Sequence, residues 1–128
     1  MQITGEMLIG GASVRGTEGT ISAFDPARGV TLEPAFGSGS ASDVDRACRL
    51  AQAAFDPLRS APLETRARFL ETIAENILAL GDTLIQRAHQ ESALPIARLE
   101  GERGRTVGQL RLFASFVRDG RWLAATID

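Results

Sequence analysis

The stretch Ser42–Phe55, SDVDRACRLAQAAF, decides the fold class because the hydrophobic period of the chain changes here. From this stretch onward, small and apolar side chains recur three and four positions apart, which is the spacing of one helix face. Before it, short apolar runs alternate with glycine- and serine-rich turn signals, which is typical of short strands. Ser42 and Asp45 resemble a capping box, with Asp in place of Glu or Gln. We therefore predict that a helical region begins at Ser42.

The residues before this helix, 1–41, predict a small antiparallel β-hairpin region. In the turn Asp25–Gly29, DPARG, proline presets φ and glycine tolerates a positive φ. We expect this turn to join two strands, near residues 20–24 and 30–36. The apolar run Met7–Ile9 is a further strand candidate.

The residues from Ser42 onward, 42–118, predict about four helices, with one break bracketed by Pro57 and Pro62 and others at Gly81 and Pro95. Gly81 is expected to be a C-cap. The helix after Pro62 is expected to bury one stripe, made of Ala67, Leu70, Ile73, Ala74, Ile77 and Leu78. The next helix is expected to bury Leu84, Ile85 and Ala88. The predicted class is α/β, a small β-hairpin region followed by about four helices.

The last ten residues, 119–128, predict a turn that enters a strand. A protein that stopped within this strand would leave three apolar residues exposed, Trp122, Leu123 and Ile127. We therefore expect the chain to be the first part of a longer protein.

Composition excludes several classes of function. The chain has 128 residues, 44% of them hydrophobic, and a net charge of -2, which argues against a general nucleic-acid binder. No apolar run approaches the roughly 20 residues that cross a bilayer, and the N-terminus is not a secretory signal, so we predict a cytoplasmic protein. The single Cys48 is expected to be a small buried residue, and His89 lacks companions for a metal site.

Seven segments together resemble a known family. They are Ile9–Gly11, Phe24–Gly29, Asp43–Ala47, Ala53–Phe55, Thr65–Leu70, Glu91–Pro95 and Arg98–Ala114. In this order and spacing they resemble the N-terminal region of the NAD(P)-dependent aldehyde dehydrogenase superfamily. The last segment, RLEGERGRTVGQLRLFA, is most similar to the branch that oxidises 2-oxoglutarate semialdehyde.

The resemblance implies oxidation of a small aldehyde to a carboxylic acid with NAD or NADP, and a homo-oligomer at full length in which residues 119–128 begin the oligomerisation strand. The family's catalytic cysteine, glutamate base, oxyanion asparagine and dinucleotide loop all lie beyond this length. We therefore predict no catalytic, cofactor-binding or metal-binding residue here, and an inactive isolated chain. Cys48 matches no catalytic motif, and Glu64 and Glu71 are assigned to solvated helix faces.

The glycines of the last helix, Gly101, Gly104 and Gly108, have two interpretations. Each costs a helix about 1 kcal/mol relative to alanine, so a close neighbour is expected on this face. That neighbour is either a tightly packed helix or, as the resemblance implies, a substrate in the entrance tunnel. In the second case Arg105, one turn after Gly101, would bind the distal carboxylate of the substrate with its bidentate fork.

Of Arg103, Arg105 and Arg111, we favour Arg105 for this role. Arg103 lies about 100° off the glycine face, and Arg111 is expected to pair with a carboxylate such as Glu100 or Asp119. Two further functions remain open for the whole chain. One is a non-catalytic helical module that binds a protein partner. The other is a regulatory paralogue that joins full-length subunits through residues 119–128.

Overall fold

The computed structural model describes residues 3–124, in which two antiparallel strand pairs precede four helices and a short 3-10 turn. The strands are β1 Met7–Ile9, β2 Ala12–Val14, β3 Thr20–Asp25 and β4 Val30–Gly37. The helices are α1 Ala41–Ser60, α2 Leu63–Ala79, α3 Gly81–Ser92 and α4 Ile96–Asp119, followed by the turn Arg121–Leu123. This order confirms the predicted α/β class. None of the described helices is long and apolar enough to span a membrane.

Two compact units divide the chain. The first contains the strands and nearly all of α1, and the second contains α2, the greater part of α3, and α4.

The turn between β3 and β4 in the first unit is built around Asp25, which is only 3% exposed. Its Oδ1 accepts hydrogen bonds from the backbone N–H groups of Ala27 and Arg28, both at 3.0 Å. Gly29 takes a φ of +68°, which only glycine adopts freely, and its N–H donates to the Asp25 carbonyl. The predicted hairpin is confirmed, with strands within one residue of those expected.

The first strand pair is a tight hairpin, because a two-residue loop joins β1 to β2. Gly10 and Gly11 both have positive φ, which is the backbone of the two-residue hairpin turns that match strand twist. Gly10 also lies against α1, where an added Cβ would come 2.7 Å from the Leu50 Cδ1. The Gly-Gly signal was in the sequence, but β2 was not predicted from it.

Helix α1 begins at Ala41 with a capping box two residues earlier than predicted. The Ser40 Oγ accepts the backbone N–H of Asp43, and the Asp43 carboxylate accepts the backbone N–H of Ser40 at 2.9 Å. The Ser40 hydroxyl also donates to the Asp43 carboxylate at 2.7 Å, and this bond first, with the bond from the Ser40 backbone N–H second, lowers the pKa of Asp43. The predicted box of Ser42 with Asp45 is wrong, because Asp45 instead pairs with Arg49 one turn on.

The predicted break between Pro57 and Pro62 is confirmed, but it is shorter than that interval, because α1 continues through Pro57 to Ser60 and α2 begins at Leu63. One further prediction about α1 is wrong. Cys48 is exposed rather than buried, since no residue of α1 is buried by the described part of the chain.

The core of the second unit lies where α2 and α4 pack side by side. The first turn of α2 lies beside the last turn of α4, as the contact of Leu63 with Gly120 shows, so the helices are antiparallel. Each helix contributes two small buried residues seven positions apart, Ala67 with Ala74 and Val107 with Ala114. Seven residues are nearly two full turns, so each pair lies on one face and lets the helices approach closely.

The predicted stripe on α2 is confirmed only in part, because Ala67 and Ala74 are buried, Leu78 is exposed, and the other three residues are half-buried, namely Leu70, Ile73 and Ile77. Gly81 follows α2 with a φ of +58°, as expected of a residue that ends a helix. In α3, Ile85 is buried while Leu84 and Ala88 are half-buried.

The C-terminal end of α4 is closed by Gly120 in the left-handed conformation. The 3-10 turn that follows leaves Trp122 and Leu123 exposed, as expected. Ile127 and the predicted strand lie outside the described residues.

Candidate functional site

Helix α4 positions the predicted site on the face opposite its core contacts. Arg105 precedes the buried Val107 by two positions, which turns it about 200° around the helix axis. Gly101, Gly108, Leu112 and Phe116 are separated from Arg105 by nearly whole turns, so all five residues form one face, hereafter the outer face of α4.

The outer face is apolar and uncovered by residues 3–124. Leu112 is 59% exposed and Phe116 is 54% exposed. An added Cβ at Gly101, Gly104 or Gly108 would meet no atom within 4 Å. The close neighbour that the glycines predict is therefore not supplied by the described residues, because α2 packs on the other side of the helix.

The Arg105 side chain extends from this face and is 76% exposed. Its Nε lies 3.4 Å from the Glu102 Oε2, a contact between two solvated groups. Ion pairs between solvated side chains contribute little free energy, so another charged group can readily replace one of the partners. The two terminal nitrogens of the Arg105 guanidinium have no partner among the described residues. They remain able to form the paired N–H bonds that a carboxylate accepts.

Arg105 also borders a groove of about 650 Å³ between α2 and α4. The apolar wall of the groove is formed by Leu70, Leu110, Phe113 and Val117. Its polar residues are Arg105, Gln109 and Thr106, and the Thr106 hydroxyl is engaged with the Glu102 carbonyl at 3.0 Å. A mainly apolar groove with a few polar groups at one end suits a short carbon chain that carries a charged terminus. Gly101 shares the outer face with Arg105 but does not border this groove.

The other arginines of α4 are placed differently. Arg103 donates to the Gly81 carbonyl at 2.9 Å, so it holds the start of α3. The predicted pairing of Arg111 with Asp119 is wrong, because Arg121 binds Asp119 with an Nε–Oδ1 distance of 2.6 Å. Glu100 does not pair with Arg111 either, and this arginine has no ion pair among residues 3–124.

Sequence reasoning missed a cluster of Arg118 with two carboxylates of α2. The Arg118 Nε donates to Glu64 at 2.6 Å, and its terminal nitrogens donate to Glu71 at 3.0 and 2.9 Å. Hydrogen bonds from Arg118 lower the pKa of both glutamates, so neither is suited to accept a proton near neutral pH. The available signal was the seven-residue spacing of Glu64 and Glu71, which places both on one helix face.

Comparison with known proteins gives the family. The model of the aldehyde dehydrogenase family matches residues 14–124. The chain belongs to the aldehyde dehydrogenase family. It is 63% identical over 129 residues to alpha-ketoglutaric semialdehyde dehydrogenase 2 of Azospirillum brasilense, covering all of this chain and 25% of the relative. It is 37% identical over 124 residues to alpha-ketoglutaric semialdehyde dehydrogenase of Acinetobacter baylyi, covering 97% of this chain and 24% of the relative.

This aldehyde dehydrogenase chain therefore spans about a quarter of the length of the curated relatives it matches. The resemblance found in the seven segments is confirmed, both for the family and for its semialdehyde-oxidising relatives.

The family is generally NAD(P)-dependent, but the glycines of this aldehyde dehydrogenase segment do not fit a dinucleotide. Gly101, Gly104 and Gly108 all lie inside the continuous helix Ile96–Asp119, where backbone N–H groups bond within the helix and cannot cradle a pyrophosphate. No group of three or more His, Cys, Asp or Glu residues within 3–124 could hold a metal ion. The His89 Nδ1 is engaged with the Leu94 carbonyl at 2.7 Å.

Proposed function

We propose that this chain is the N-terminal segment of an aldehyde dehydrogenase that oxidises 2-oxoglutarate semialdehyde to the dicarboxylic acid. The observation that carries the proposal is Arg105, which borders an apolar groove and whose two terminal nitrogens have no partner among residues 3–124. The names of both relatives support the same substrate.

The role of Arg105 is to bind the carboxylate at the far end of the substrate. A guanidinium presents two parallel N–H groups in the geometry of a carboxylate, so it favours acidic aldehydes over neutral ones. Gly101, one turn earlier on the outer face, does not border the groove, so its proposed role is to leave room where the bound substrate extends past Arg105 over that face. The weak contact with Glu102 would be replaced when the substrate binds.

The remaining parts of the proposal concern the complete enzyme. NAD or NADP would be the electron acceptor and would be bound outside residues 3–124. The complete enzyme would be a cytoplasmic homo-oligomer, in which residues 1–41 form an edge hairpin, residues 42–118 cover the cofactor domain, and residues 119–128 begin the oligomerisation strand.

The first experiment is the mass of the natural gene product. A product about four times heavier than the 13.7 kDa of this chain is expected from its share of the relatives. A natural product of 13.7 kDa would overturn the proposal. It would favour instead a non-catalytic interaction module or a regulatory paralogue, for which the uncovered outer face of α4 supplies a binding surface.

The second experiment replaces Arg105 by alanine in the complete enzyme, meaning the polypeptide of the relatives' length that contains residues 1–128. We expect KM for 2-oxoglutarate semialdehyde to rise about 10-fold or more, because a charged hydrogen bond is lost, while KM for the neutral aldehyde pentanal is unchanged. Arg111→Ala is the matched control, since Arg111 is an exposed arginine on the same helix without an ion pair among the described residues. Equal changes in KM for the two aldehydes would rule out the role of Arg105.

A further inference from the structure

The second polar group of the groove, Gln109, has no role in the proposed function. It follows Arg105 by four positions on α4, so the two side chains leave the helix one turn apart, with Cβ atoms about 5–6 Å from each other. The side chain of Gln109 is exposed, and its amide has no hydrogen-bond partner among the described residues.

We propose that Gln109 is the specificity residue that recognises the 2-oxo group of the substrate. This inference rests on the proposed function, in which Arg105 binds the carboxylate. In a 2-oxo acid the ketone oxygen is on the carbon next to the carboxylate. A donor beside the carboxylate-binding arginine is therefore in position to bond it, and the amide of glutamine supplies such an N–H.

The wall of the groove accounts for the rest of the substrate. Leu70 of α2 and Phe113 of α4 are apolar and lie beside the two polar residues. The two methylene carbons of the semialdehyde would run along these side chains, with the aldehyde pointing away from Arg105. Charge complementarity thus selects one occupant of the groove, a short aldehyde with a 2-oxo carboxylate at its far end.

The test uses two substrates that differ only at the recognised group. Glutarate semialdehyde has the same length and the same terminal carboxylate as 2-oxoglutarate semialdehyde, with a methylene in place of the ketone. In the complete enzyme, Gln109→Leu is expected to lower kcat/KM for 2-oxoglutarate semialdehyde about three- to tenfold, which is the effect of one hydrogen bond. We expect kcat/KM for glutarate semialdehyde to stay unchanged.

The ratio of the two values is measured on one preparation, so a partly folded variant lowers both equally and leaves the ratio intact. Gln52→Leu is the matched control, because Gln52 is an exposed glutamine on α1 that does not border the groove. It is expected to leave the ratio unchanged.

The outcomes separate this inference from the proposed function. If Arg105→Ala weakens binding of both acidic semialdehydes but Gln109→Leu does not change their ratio, the role of Gln109 is overturned and the role of Arg105 stands. If Arg105→Ala affects acidic and neutral aldehydes alike, the groove is not the carboxylate site and both roles are overturned. A change in the ratio for Gln109→Leu alone, with the Arg105 effect present, is the result expected.

Discussion

The two faces of α4 differ in what covers them. The inner face carries Val107 and Ala114, which are buried against α2. The outer face carries Leu112 and Phe116, which are as apolar but remain more than half exposed, and glycines with open space above them. A helix that is apolar on two sides is typical of the interior of a large protein. This difference indicates that the outer face serves a contact beyond residues 3–124, in agreement with a chain that spans a quarter of its relatives.

The largest effect is expected on the inner face. Ala114→Leu places a large side chain where Ala114 is completely buried, and overpacking of this kind lowers the free energy of unfolding by about 1–3 kcal/mol. Ser115→Leu, at the next and exposed position, is the control and should change stability by less than about 0.5 kcal/mol. Urea unfolding of the isolated chain measures both. Equal losses for the two variants would contradict the assignment of the inner face.

A smaller effect of opposite sign is expected on the outer face. In the isolated chain, Gly108→Ala should raise the free energy of unfolding by about 0.5–1 kcal/mol, because the helix gains propensity and the added methyl meets nothing. In the complete enzyme the same change should lower activity or stability, since a close neighbour then covers the glycine. If Gly108→Ala also stabilised the complete enzyme, the outer face would be uncovered there too. The exposure of this face would then not indicate a functional contact.

The smallest effect is expected at the exposed C-terminal end of the inner face, where Arg118 binds two glutamates of α2. The folded pKa values of Glu64 and Glu71 lie below the ordinary value of 4.5, so their contribution to stability is present above about pH 4.5 and is lost as the pH falls toward the folded values. We expect the difference in Tm between the wild type and Arg118→Met to be greatest near neutral pH and to shrink below about pH 4. Arg111→Met, which removes an arginine without a described ion pair, should show no such pH dependence.

Local sequence signals were sufficient for much of the fold. The turn at Asp25 was predictable because its hydrogen bonds join residues two and three positions apart. The α2 stripe was predictable because helical period alone places Ala67 and Ala74 together. The prediction for Cys48 was wrong because it assumed surroundings that the described residues do not supply to α1.

The candidate site was predictable only in part. Helical spacing placed Arg105 and Gly101 on one face, which the structure bears out as geometry. The groove beside Arg105 was not predictable, since Leu70 comes from another helix and only packing brings it there. The Arg118 cluster was not predicted for the same reason, since its two glutamate partners are 47 and 54 residues away in sequence.

That last separation has a consequence for synthesis on the ribosome. The β3–β4 hairpin can close as soon as it emerges, because its partners are neighbours in sequence. Glu64 must wait for Arg118, 54 residues later, which takes about 3 to 11 s at ordinary rates of translation. During that interval the apolar stripe of α2 has no α4 to cover it. The nascent second unit therefore exposes apolar surface that favours aggregation for several seconds, whereas the hairpin has already formed.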